Sequence, residues 1–146
     1  MSTWSPGERI DAVKLSTYAG DPLTREVNTG TFTTTRTILD TITVPVVAGR
    51  RYKIVWDGEF QSSVANDLIR GQLHDGPATT DPAIQLRQLT CPVLNQAFPL
   101  IMQCWFNATV TGNETFIATA ARLTGSGTIT GIANTSSPTL FYVENA

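Results

Sequence analysis

Residues 51–60 read Arg51-Tyr52-Lys53-Ile54-Val55-Trp56-Asp57-Gly58-Glu59-Phe60 and alternate with a period of two. Tyr52, Ile54, Trp56 and Phe60 fall on one side of an extended backbone, and Arg51, Lys53, Asp57 and Glu59 on the other. A helix would scatter both sets around its circumference. The segment is therefore read as a strand with one apolar and one wet face. Such a strand cannot bury its apolar face alone; it needs a sheet and a second layer packed on that sheet.

The rest of the chain supplies them. Residues 33–44 read as a strand with Ile38, Ile42 and Val44 on one side, and 46–50 as the turn that follows, with Gly49 free to take a positive φ. Pro45 has no N–H to donate, which confines it to a strand end or edge. Further strands are expected at 64–73, 83–89, 98–106, 114–123, 128–133 and 139–143, separated by Gly, Pro, Asn and Ser turns. Connections such as 75–82 are long enough to cross between sheets, so the fold class expected is all-β: a two-sheet, jelly-roll-like β-sandwich. Residues 98–106 carry large apolar side chains on both faces and are expected deep in the core. Their second face would be covered by a loop, by the N-terminal residues or by another subunit.

Composition supports the strand reading. Charged residues make up 15% of the chain against a usual share of about 25%. Threonine takes their place, as in Thr31-Phe32-Thr33-Thr34-Thr35, and it favours extended backbone while keeping an outer face wettable. The formal net charge is −2 and the longest basic run is Arg50-Arg51, so no nucleic-acid partner is expected. No apolar stretch approaches the roughly 20 residues that span a bilayer, so no membrane partner is expected either. The opening residues lack the charged and apolar regions of a secretory signal, and synthesis in a cytoplasm is expected.

Residues 1–30 lack the period of two. Ser5-Pro6-Gly7-Glu8 reads as a capped helix start, with Ser as N-cap, Pro at the first helical position and Glu three residues after the cap. Gly20-Asp21-Pro22 ends that run. The expected organisation is an N-terminal arm at 1–30 carrying a short helical turn, followed by a sandwich domain at 31–146. Trp4, Ile10 and Tyr18 lie outside the expected strands and are the candidate partner-docking residues.

Catalytic parts are scarce. His74 is the only histidine and stands in Leu73-His74-Asp75-Gly76, which reads as a surface turn. Cys91 and Cys104 read as two free thiols acting as small apolar residues; the alternative is a disulfide across a hairpin. One His and two separated Cys do not make a zinc set, and no phosphate loop or nucleophile elbow occurs. Asp57 and Glu59 share a strand face, as a glycosidase pair would, but Arg51 and Lys53 beside them make it read as an ordinary solvated face. No enzyme activity and no cofactor are expected.

Two stretches carry a resemblance. Trp4-x-x-Gly7-Glu8-x-Ile10-x-Ala12-x-x-Leu15 resembles an N-terminal pattern of structural proteins of tailed-bacteriophage particles, with Ser16 standing where that pattern usually has Asn. Residues 41–63, with Val46, Gly49, Tyr52 and Ile54, resemble the first hairpin of small β-domains in the same particles. The resemblance covers less than a third of the chain. It implies a virion component made in a host bacterial cytoplasm: a capsid decoration protein, a head fibre or a minor tail protein. Its partners would be other virion proteins, and a homotrimer with strand 98–106 near the axis is expected.

Overall fold

The computed structural model describes residues 18–146. They form nine strands: β1 (Leu23–Arg25), β2 (Thr37–Val46), β3 (Arg51–Ser62), β4 (Asp67–Asp75), β5 (Ala83–Cys91), β6 (Phe98–Asn107), β7 (Gly112–Thr124), β8 (Ile129–Ile132) and β9 (Thr139–Asn145). One sheet has the order β1-β9-β3-β6, with β8 also paired to β3; the other has the order β2-β7-β4-β5. Every pairing is antiparallel. The pairs are nested: β4 with β5, β3 with β6, β2 with β7, and β1 with β9. That is one long hairpin rolled into two packed sheets, the jelly-roll arrangement expected from the sequence.

β3 behaves as its alternation requires. Tyr52, Ile54, Trp56 and Phe60 are buried between the sheets, with Trp56 and Phe60 stacked at 5.5 Å. Met102 and Leu100 of β6, Phe116 of β7, and Ile69 and Leu73 of β4 fill the same layer. Gly49 has φ 84° in the β2–β3 turn, as anticipated. Pro45 sits on β2, an edge strand of the second sheet, where its missing N–H costs no ladder hydrogen bond.

Three sequence readings are corrected. Ile38 is exposed, because the register of β2 against β7 shifts between Ile38 and Asp40. The bulge turns Leu39 and Asp40 inward together. Asp40 then bridges the sheets: its carboxylate accepts from Trp56 Nε1 at 2.8 Å and from Arg25 Nε at 2.8 Å. Residues 98–106 are not deep in the core. They form β6, an edge strand with Leu100 and Met102 inward and Ile101 and Trp105 outward. The strand buried on both faces is β7, where 116–121 are buried throughout. The Arg36 side chain reaches across its outward Thr119, with Nη1 donating to Arg70 O at 3.2 Å, and Arg122 N–H donates to Thr33 O at 2.9 Å beside the strand.

His74 is the third. It is not a surface turn residue but a buried member of β4. The Asp81 carbonyl can only accept, so His74 Nδ1 donates to it at 2.9 Å, and Nε2 is hydrogen-bonded to the Thr119 hydroxyl at 2.9 Å. Thr119 accepts in turn from Arg36 Nη1 at 3.1 Å. The histidine thus ties the β4–β5 loop to β7 and, through Thr119, to Arg36.

Residues 18–30, assigned to the arm by the sequence, lie against the sandwich. Ala19 N–H donates to Val143 O at 2.8 Å, and β1 pairs with β9 from Leu23↔Phe141 to Arg25↔Thr139. Trp4, Ile10 and the turn from Ser5 to Glu8 lie outside the described residues.

Candidate docking surface

On the outer face of the second sheet Thr119 and His74 are met by the Arg36 side chain and the Asp81 carbonyl. On the first sheet the outward side chains of the edge strand β6 are exposed, while Val55 at the centre of the face is 4% exposed beneath its neighbours. The middle strand of this sheet is β3, and the pairing registers place the outward residues in rows. Tyr18, Glu144, Lys53 and Trp105 form one row; Tyr142, Val55 and Gln103 the next; Leu140, Asp57 and Ile101 the third. Tyr18 is 41% exposed, Ile101 52% and Trp105 53%. Exposed apolar side chains scattered singly need no explanation, but these share one sheet face.

Aromatic geometry organises the rim. Tyr18 meets Tyr142 edge to face, with centroids 5.5 Å apart. The Arg51 guanidinium lies 4.2 Å from the centroid of the Trp105 ring, a cation–π contact. A recess of about 210 Å³ opens between the edges of β5 and β6, lined by Lys53, Arg87, Gln103, Cys104 and Trp105. Pockets for whole small molecules usually measure about 300–1,000 Å³, so this recess suits a single side chain or a comparable group. Burial, and then the charges of Glu144, Tyr18 and Asp57, raise the Tyr142 phenol above its ordinary range, so it stays neutral on this face.

Of the sequence-predicted docking residues, Tyr18 stands at the border of this face, while Trp4 and Ile10 lie outside the described residues. Sequence reasoning missed Ile101 and Trp105, taking their strand for a core strand. The available signal was Gln103, a polar residue midway between them on the same face of the alternation. Asp57 and Glu59 lie on this outer face, where Ser137 Oγ donates to Glu59 Oε1 at 3.4 Å. Among the described residues no three His, Cys, Asp or Glu side chains group as a metal site.

Both cysteines are free thiols, as the first reading had it. Burial pushes Cys104 up to about 11, and burial followed by the Asp67 charge raises Cys91. At pH 8 a thiol near about 8.5 is roughly one quarter thiolate, whereas Cys104 near 11 is about one thousandth thiolate. Iodoacetamide at pH 8 is therefore expected to modify Cys104 at least about a hundredfold more slowly in the native protein than in guanidinium. Equal rates by mass spectrometry would show that Cys104 is not held in an apolar setting.

No protein-family model and no curated protein matches the chain. Among solved structures it is similar to a chain in the structure of infectious bursal disease virus Gx strain, at 12% identity and a TM-score of 0.46, over 86% of this chain and 35% of that one. It is also similar to a chain from the Gt strain, at 10% identity and a TM-score of 0.42, over 88% of this chain and 36% of that one. The chain thus spans about a third of the length of these viral chains. At such scores the likeness carries neither fold nor function across.

Proposed function

We propose that the chain is a non-enzymatic structural protein of a virus particle, attached to other particle proteins through its outer sheet face. The observation that carries the reading is the outer face of the first sheet, where Tyr18, Ile101 and Trp105 are exposed together. Exposed Tyr, Ile and Trp side chains set among charges on one sheet face have the make-up of a protein contact. The jelly roll is a frequent build for capsid and lectin domains, a fold-level analogy that supports the reading. The sequence resemblance of 4–15 and 41–63 favours a tailed-bacteriophage particle, with a head-surface decoration protein as the proposed location. Mass spectrometry of purified particles tests this: the chain is expected in hundreds of copies per particle. A few copies would move it to the tail or a fibre, and absence from mature particles would end the proposal.

A second reading rests on Trp105. An exposed indole beside Gln103, Lys53 and Arg87 is a surface on which a sugar ring can stack and hydrogen-bond. A glycan array without signal above background removes it.

A further inference from the structure

The outer face of the first sheet carries charge in an order that a second copy of the same face can answer. Along β3 the outward positions are Arg51, Lys53, Val55, Asp57 and Glu59: two cations, one apolar residue, two anions. β3 is flanked by β9 and β6, so this row runs down the middle of the face. On β6, Trp105 stands opposite Lys53, Gln103 opposite Val55, and Ile101 opposite Asp57. The one salt bridge among the described residues is Arg25–Asp40, so these four charges have no ionic partner within the described chain.

We propose that this face is a homotypic interface, in which a second copy packs its outer sheet face to face on the first. The two-fold axis lies in the interface plane, runs across the strands and passes over Val55. Rotation about it reverses strand direction and keeps the lateral order of the strands. Arg51 then opposes Glu59 of the second copy, Lys53 opposes Asp57, and Trp105 opposes Ile101, each pair occurring twice. Cations meet anions and the two most exposed apolar side chains of β6 cover each other. An axis along the strands would instead set Arg51 and Lys53 against themselves, and like charges in opposition repel. The three-fold arrangement anticipated from the sequence is heterologous. It would need a separate acidic surface to answer Arg51 and Lys53, and would leave the antisymmetry of the row unused.

The face sets the strength. Nine residues of β3 across three to four strands measure about 30 Å by 14–19 Å. Covering both copies removes roughly 1,000 Å² from water, at the lower end of specific interfaces. Association is therefore expected at micromolar concentration, weakening with salt.

Sedimentation of the full-length protein at tens of micromolar in low salt is expected to give a dimer. Lys53→Glu and Asp57→Lys should each weaken association by at least about tenfold, because each sets like charges together at two places. The double variant K53E/D57K should recover to within about threefold of the parent, since each reversed charge meets the other across the axis. Gln103→Cys lies in the row under the axis, and because facing sheets sit about 10 Å apart, a short bis-maleimide rather than a direct disulfide should cross-link two copies, with an unchanged circular dichroism spectrum. A trimer, a double variant no tighter than the single ones, or a Gln103→Cys protein that does not cross-link overturns the proposal. So does a monomer; if hydroxyl-radical labelling then finds Trp105 shielded, the face belongs to the chain's own first 17 residues. The dimer goes beyond the particle role, and because particle composition is a separate measurement, either can fail without the other.

Discussion

Replacing Trp56 by alanine is expected to lower the free energy of unfolding by about 4 kcal/mol, a large part of the roughly 5–15 kcal/mol that holds a domain of this size. Trp56 is fully buried in the middle of β3 and stacks on Phe60. Its removal leaves a cavity between sheets already closed around it. It also strips Asp40 of the Trp56 Nε1 donor, leaving the carboxylate with Arg25 alone among its side-chain partners across the sheets. Trp56→Phe separates the two contributions: it keeps most of the ring and loses the donor, with an expected cost of about 1–3 kcal/mol. Urea unfolding measures both. A loss under about 2 kcal/mol for Trp56→Ala would mean that the site collapses around the gap, contrary to the packing described.

The second large effect is expected at Asp67, whose replacement by alanine should cost about 3–5 kcal/mol. Asp67 is 1% exposed at the start of β4. Its Oδ2 accepts from Ser62 Oγ at 2.7 Å and from the Gly127 N–H at 2.8 Å, and its Oδ1 accepts from the Ser126 N–H at 3.2 Å. The carboxylate thereby pins the β7–β8 turn to the start of β4. Without it the Gly127 N–H is buried and unpaired. Asp67→Asn keeps the shape and one acceptor oxygen and should lose less. Gly125 carries the same constraint from the other side, because its φ of +104° is left-handed and a Cβ there would run into the Asp67 carboxylate. Thermal unfolding of Asp67→Ala, Asp67→Asn and Gly125→Ala should rank all three below the parent. An Asp67→Ala protein within about 1 kcal/mol of the parent would show that water replaces the carboxylate freely.

The strands were legible because a period of two is a local property. Tyr52, Ile54, Trp56 and Phe60 need only their own backbone to share a side, and Pro45 excludes itself from a central position wherever the chain runs. The errors share one cause. A segment apolar on both sides, such as 98–106, says how much apolar surface must be covered and not by what. A buried strand and an edge strand with a docking face have the same pattern. Ile38 went wrong because one extra residue in a pairing reverses the side on which everything before it lies, and a bulge leaves no mark in the composition of the strand. His74 was read as a turn because Asp75 and Gly76 follow it, while the contacts that bury it come from Asp81, Thr119 and, through Thr119, Arg36.

By itself the sequence determined that the described part of the chain is all-β, where most of its strands run, and which face of β3 is apolar. These follow from alternation and turn chemistry within some ten residues. The tertiary structure alone decided that β6 is an edge and that Trp105 and Ile101 look outward. It alone placed Lys53 beside Trp105 and Asp57 beside Ile101, and made Asp40 and Asp67 the buried anchors of the two sheets. Each of these depends on which distant strand lies alongside, and so on the register between segments tens of residues apart, which no local pattern records.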